Sequence, residues 1–314
     1  MRILLPAFCA GFLIAQQTPP DARAESPSVS TAEAALAPAV RDHVEQAIRT
    51  RDYLKAEQIL VHEIDRNPRS PKLLTLAAGV FFLDGKYLNA ATALKKAEAV
   101  APLDDQNRFT LAMAYVALDR RDWARPELEK LSQKNTDKPL YLYWLARLDY
   151  DAQQYPAAIQ KLEQVITIDP HYMKAYDNLG LCYEAAGRLD DALTTYRRAV
   201  DLNRQSKPVS PWPPLNLGTL LVKLERFEDA EKYLRDSLQA DPKFAQAHYA
   251  FGMLLEKRGR DEEAIRELEL AVALDAAYAQ PHYALGRIYR RAGNIAKASA
   301  ELDQFERLKQ TRTR

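Results

Sequence analysis

Alanine recurs along this chain at Ala56, Ala90, Ala124, Ala158, Ala192, Ala230, Ala264 and Ala298, every 34 residues except for one step of 38 after Ala192. Twelve residues before each stands a small residue or Val: Val44, Ala78, Ala112, Ala146, Gly180, Gly218, Gly252 and Gly286. A period of this length, kept in register through eight units, marks a repeat array rather than a domain with one central core. Two helices approach closely only where side chains are small. The spacing therefore predicts one helical hairpin per unit, with the small residue of its first helix facing the Ala of its second. Larger apolar residues at helical spacing then fill the seams between hairpins, as Tyr176, Leu179, Tyr183, Leu193, Tyr196 and Val200 do in the fifth unit.

Glycine and proline punctuate the same period. Gly85, Gly187, Gly259 and Gly293 fall between the two helices of their units, where a helix C-terminus favours Gly. Asn67-Pro68, Asp169-Pro170 and Asp241-Pro242 close three units, since Pro cannot continue a helix. Pro156 falls in the first turn of a second helix, whereas Pro126 is expected to shorten the second helix of the third unit. The segment from Lys207 to Pro214 holds four prolines, so the first helix of the sixth unit is expected to start late, near Leu215, behind a stiff loop carrying Trp212. That loop is either a partner contact or a tolerated insertion with Trp212 folded over the missing turn.

Tyr176-x2-Leu179-Gly180-x2-Tyr183 followed by Ala192-x3-Tyr196 resembles the tetratricopeptide repeat pattern W-x2-L-G-x2-Y and A-x3-F. His282-x2-Leu285-Gly286-x2-Tyr289 with Ala298-x3-Leu302, and His248-x2-Phe251-Gly252 with Ala264-x3-Leu268, follow the same grammar. The resemblance implies an all-α, right-handed superhelical solenoid of about eight hairpins. Units are expected at 37–70, 71–104, 105–138, 139–172, 173–206, 211–244, 245–278 and 279–308, with an insertion at 207–210 and a polar tail at 309–314. The first unit departs from the pattern at His43-Val44, and the fourth has Asp149 where an aromatic is usual. Fraying is expected after about Leu308, and polar Ser299 and Glu306 suit the face of a terminal repeat that ends the array without a further capping helix.

The resemblance also implies a concave groove lined by the first helices, with the fifth, ninth, twelfth and thirteenth positions of each unit facing it. Those positions offer Phe82, Phe109, Tyr143, Tyr150, Tyr249 and Tyr283, alongside Arg147, Lys257, Arg287, Arg290 and Arg291. Aromatic area and forked guanidinium donors suit an extended peptide, although aromatic residues in repeats also serve as packing between hairpins. Arg287, Arg290 and Arg291 share one helix face and read either as a site for an acidic stretch or as an ordinary solvated face. Asn178 and Asn216 hold the sixth position of successive units, where relatives of this kind grip a ligand backbone with an amide that both donates and accepts. Tyr143 and Trp212 stand where the lysines of a chaperone-tail clamp belong, which disfavours a chaperone-adaptor role.

The N-terminus differs from the rest. Met1-Arg2 and the apolar run Ile3 to Ala15 fit a secretory signal peptide (1–24), with cleavage after Ala15 or Ala24, and Phe8 argues against a lipid anchor at Cys9. Residues 25–36 continue a Pro, Ser, Thr and Ala-rich linker. A periplasmic or secreted location follows, with membrane attachment only if the signal stays uncleaved. Cys182 is then the single cysteine of the mature chain, so no internal disulfide is expected.

A formal net charge of +1 carries no nucleic-acid footprint. No nucleophile motif or phosphate loop is present, and His248 and His282, a full repeat apart, read as packing residues in place of the family's Trp rather than as metal ligands. The expected function is a monomeric scaffold, without cofactor, metal or catalysis, binding an extended segment of an envelope protein. The alternative is an accessory subunit of an envelope polysaccharide, peptidoglycan or secretion machine, docked through the outer surface. An enzyme is the third and weakest reading.

Overall fold

The structure, a computed structural model, describes residues 36–312. The expected signal segment and all of the linker but its last residue lie outside the described residues. Sixteen α-helices and no strand occur among those described. In chain order they are α1 (Pro38–Arg49), α2 (Tyr53–Arg66), α3 (Pro71–Leu83), α4 (Tyr87–Glu98), α5 (Asp105–Ala117), α6 (Arg121–Lys134), α7 (Pro139–Asp151) and α8 (Tyr155–Ile168). They continue with α9 (Met173–Ala185), α10 (Leu189–Asn203), α11 (Trp212–Lys223), α12 (Phe227–Ala240), α13 (Ala245–Lys257), α14 (Asp261–Leu274), α15 (Ala279–Arg291) and α16 (Ile295–Arg312). Consecutive odd and even helices form eight hairpins, and the fold is an all-α helical solenoid. The chain divides into two compact units, one ending at Ile168 and the other beginning at Asp169, so each unit holds four hairpins.

Every turn inside a hairpin uses one left-handed residue. Glycine fills that place at Gly85, Gly187, Gly259 and Gly293, but Arg51, Asp119, Gln153 and Glu225 fill it in the other four hairpins. In each case the next amide reaches back five residues to a helix carbonyl, as Arg188 N does to Tyr183 O (2.8 Å) and Arg226 N does to Leu221 O (2.9 Å). Between hairpins, Asp169, Asp241 and Asp275 accept the amide of the residue two further on, and so hold the chain as it leaves one hairpin for the next.

The small first-helix residue faces the backbone of the repeat Ala, with Ala264 O and Ala298 O each 3.3 Å from a Cβ built on Gly252 and Gly286. Its closest neighbour is nevertheless the residue one turn further on. A Cβ built on Gly180 would lie 2.5 Å from the ring of Tyr196, and one on Gly286 would lie 2.8 Å from Leu302. The notch receives the bulky residue one turn after the repeat alanine, while that alanine (Ala192 or Ala298) is itself buried. The first two hairpins share a core of Val44, Ala47, Ala56, Leu60, Leu73, Leu76, Ala77 and Val80.

Three local expectations change, and one departure from the repeat pattern finds its place. Pro126 does not shorten α6, which runs the same 14 residues as α2, because the carbonyl its missing N–H leaves open belongs to exposed Asp122. α11 begins at Trp212 and not near Leu215, since Pro213 and Pro214 sit in the first turn, where backbone N–H groups have no helical partner. α16 continues to Arg312 rather than fraying near Leu308. Asp149, in place of the usual aromatic, is buried between Arg125 of α6 (2.8 Å) and Lys161 of α8 (2.7 Å).

Candidate binding face

Within the second unit the first helices α9, α11, α13 and α15 touch one another in order, whereas successive second helices meet at most marginally. The first helices therefore line the inner side of this unit. The sequence-predicted groove residues divide between the two units, and each group stands by itself.

In the first unit most of the expected contact residues are packing. Phe109 of α5 and Tyr143 of α7 are each only 2% exposed, so neither ring is open to a partner. Phe109 is spent on the ring of Tyr141 across the seam between two hairpins, 5.6 Å between centroids. Arg147 is also buried, its guanidinium 4.8 Å from the Trp144 ring. Tyr150 keeps partial exposure beside Tyr155, and Phe82 does so beside Tyr87. Asp151, at the C-terminal end of α7, has its carboxyl pushed up to about 6 by burial, against the pull of Arg121 and Arg147. Its Oδ1 makes no hydrogen bond.

In the second unit an aromatic row stays partly open. Trp212 meets Phe244 edge to face at 4.8 Å, Tyr249 meets Tyr278 at 5.3 Å, and Tyr283 meets Phe305 at 5.2 Å. Trp212 and Tyr249 are half-buried, and Tyr283 is 49% exposed. A buttressed ring with one open face offers contact area at little cost in conformational entropy. The loop before Trp212 is pinned, which favours its reading as a tolerated insertion. Asn203 donates to Ser210 O (2.7 Å) and accepts from Ser210 N (2.9 Å), while Ser237 donates to Pro211 O (2.8 Å).

The arginine cluster is not an open cationic site. Arg287 and Arg291 both bind Glu256 of the preceding hairpin, and Arg291 also binds Asp261 at 2.8 Å, so two guanidinium groups face two carboxylates. Arg290 and Lys257 remain exposed, with no hydrogen bond or ion pair. Two seams earlier, Lys223 of α11 and Glu184 of α9 form a similar bridge at 3.4 Å.

The two asparagines are engaged as well. Asn178 donates to Lys174 O on its own helix. Asn216 is buried and donates to both oxygens of Asp177 on α9, at 3.0 and 3.1 Å. Asp177 was not singled out from the sequence, where an acid on an amphipathic helix reads as solvated; only the seam shows it to be enclosed. His248 and His282 each bond a glutamate of their own hairpin's second helix, Glu267 and Glu301, at 2.7 Å. The Glu267 bond holds His248 above the usual imidazole range, helped by Pro242 O and opposed by burial. Among the described residues no group of three or more His, Cys, Asp or Glu side chains is arranged to hold a metal ion, and no helix is long and apolar enough to cross a membrane.

Stacked helical hairpins of this period define a helical-repeat protein. Tetratricopeptide repeat models match residues 109–172, 173–243 and 215–281, an unbroken stretch from 109 to 281. The chain belongs to the tetratricopeptide repeat family. Among curated relatives it is similar to the TPR repeat-containing protein YpiA of Bacillus subtilis (26% identical over 170 residues, 54% of this chain and 39% of the relative). It is also similar to the STIP1 homolog of Dictyostelium discoideum (32% over 93 residues, 30% of this chain and 16% of the relative). The chain thus spans well under half of either relative. In fold it is similar to a tetratricopeptide repeat protein of Parabacteroides merdae (TM-score 0.64, 15% identical, 75% of this chain and 92% of the other). Yeast Tom70 shares the fold too (TM-score 0.60, 18% identical, 82% of this chain and 55% of the other). Proteins of this family act as scaffolds that bind proteins or peptides.

Proposed function

We propose that this chain is an exported scaffold that holds an extended segment of an envelope protein on the inner face of its second unit. The observation that carries the reading is the half-open row Trp212, Tyr249 and Tyr283, each ring backed by a second ring. Lys257 and Arg290 are exposed cations on the same two helices as Tyr249 and Tyr283, so a segment carrying acidic residues beside apolar ones fits best. Export is supported by the positive start and apolar run at residues 1–15. N-terminal sequencing of the chain recovered from the envelope fraction tests it: an intact Met1 on cytoplasmic protein would overturn it.

The binding test is capture of partners from envelope extract by the full chain and by Tyr249→Ala/Tyr283→Ala. Loss of about 2 kcal/mol per anchoring ring should weaken capture by at least tenfold. Undiminished capture by a folded double variant would remove the inner face from the argument. An outer-surface docking reading has one observation of its own, exposed Leu270 and Leu274 one turn apart on α14. Capture lost in Leu270→Ser/Leu274→Ser but kept in the tyrosine variant would favour it.

A further inference from the structure

Two first helices of the second unit hold the carbonyl of a proline six residues back, in the joint that precedes their hairpin. Tyr176 donates to Pro170 O at 3.3 Å, and Nε2 of His248 lies 3.0 Å from Pro242 O. His248 differs from Tyr176 in having acceptors at both ring nitrogens, since Glu267 Oε2 stands 2.7 Å from Nδ1. His282, equivalently placed in the last hairpin, bonds Glu301 through Nδ1 and no joint carbonyl among the described residues.

Only imidazolium carries a hydrogen on each nitrogen, so only the charged ring can donate to both acceptors. A neutral ring keeps one hydrogen and turns a lone pair on the other oxygen. The bond to a charged acceptor is the stronger, so the hydrogen stays on Nδ1 with Glu267 and Pro242 O is given up. The joint carries more than backbone. Residues 241–244 link α12 to α13, and Phe244 backs Trp212 edge to face at 4.8 Å. Asp241 braces the joint from within, its side chain accepting from Lys243 N (2.9 Å) and its carbonyl from Phe244 N (3.2 Å). The bond through His248 is what ties it to α14.

We propose that His248 is a protonation-dependent clip between hairpins: charged, it ties the joint carbonyl of Pro242 to Glu267 of α14, and neutral, it keeps Glu267 and frees the joint that carries Phe244. The acids acting on the ring, Glu267 from α14 and Asp241 from the joint, both favour its charged form, the Glu267 hydrogen bond most strongly, and burial opposes them. Charges on the other packed elements are committed elsewhere. On α12, Glu231 is held by Arg258, while Lys232 and Arg235 lie over Tyr233 and Phe251. Glu263 of α14 is held by Arg260, Lys223 of α11 meets Glu184, and Arg287 and Arg291 of α15 bind Glu256. The clip is therefore closed at low pH and opens as pH rises through the folded value, above the ordinary imidazole value. What opening does to binding rests on the inner-face reading, because Trp212 belongs to that row.

Two spectra of the full chain, each followed from about pH 5 to pH 9, test this. In 15N-labelled protein the imidazole signals lost in His248→Gln belong to His248. Both its nitrogens should carry hydrogen at low pH and only Nδ1 at high pH, and Glu267→Gln should move the midpoint down. A neutral ring with its hydrogen on Nε2, or a ring that does not titrate, overturns the clip. In protein labelled with 5-fluorotryptophan, the 19F signal lost in Trp212→Phe belongs to Trp212. That signal should shift with the His248 midpoint. In His248→Tyr, which copies the arrangement at Tyr176, the shift should disappear. A Trp212 signal that stays still, or moves equally in His248→Tyr, overturns the link from joint to row. Neither spectrum involves a ligand, so undiminished capture by Tyr249→Ala/Tyr283→Ala would remove the inner-face reading while the two spectra still decide the clip.

Discussion

Arg51, Asp119, Gln153 and Glu225 adopt left-handed backbone where their side chains crowd the following carbonyl, a strain that glycine does not carry. Glu225→Gly should raise the urea midpoint of unfolding, by about 0.5–1 kcal/mol in stability after glycine's own entropy is counted. Gly180→Ala should act in the opposite sense, since the new methyl meets the Tyr196 ring; overpacking of this kind costs about 1–3 kcal/mol. The pair His248 and Glu267 has a pH signature. The folded state raises the imidazole above its unfolded value, so the stabilisation is complete below about pH 6.5 and is lost as pH rises through the folded value. Glu267→Gln should lower stability by about 1–2 kcal/mol at pH 6 and much less at pH 9, as read from thermal unfolding.

At the scale of elements, α6, α7 and α8 are tied by one buried carboxylate. Asp149 is nearly sealed, but Arg125 and Lys161 keep 31% and 26% of their side-chain surface in solvent. Deleting the two sides is therefore not equivalent. Asp149→Asn leaves two cations that can turn to water, whereas Arg125→Met/Lys161→Met strands a buried charge and should cost about 3–5 kcal/mol. Urea unfolding that finds Asp149→Asn the costlier change would refute the asymmetry. The loop before α11 is held chiefly by Asn203, whose side chain bonds both backbone groups of Ser210, with Ser237 holding Pro211 O beside it. Asn203→Ala should expose Lys207 to limited proteolysis while leaving helix content intact.

At the scale of the molecule, contacts within each unit run from each hairpin to its neighbour, so the stability of a unit is spread along its hairpins rather than concentrated in one core. Each unit holds four hairpins with their own buried apolar seams. Residues 169–314 expressed alone should therefore be helical by circular dichroism and unfold cooperatively, while a non-cooperative, molten spectrum would contradict this.

The repeat, the pairing of helices and the spacing of hairpins were legible in the chain because they rest on local rules. A 34-residue recurrence of small residues, glycine after a first helix and proline between hairpins each act within a few turns of backbone. The glycine rule reached four of the eight turns, since Arg51, Asp119, Gln153 and Glu225 accept the same conformation under the constraint of hairpin packing. The binding face was only half legible. Phe109, Tyr143 and Tyr249 occupy the same repeat position, yet the first two are sealed and the third is half open. Arg287 and Arg291 read as free cations until Glu256 and Asp261 arrive from the preceding hairpin, and Asp177 reads as solvated until α11 closes over it. Exposure and charge balance depend on which side chain the neighbouring hairpin brings to the seam, and that was decided by tertiary packing alone.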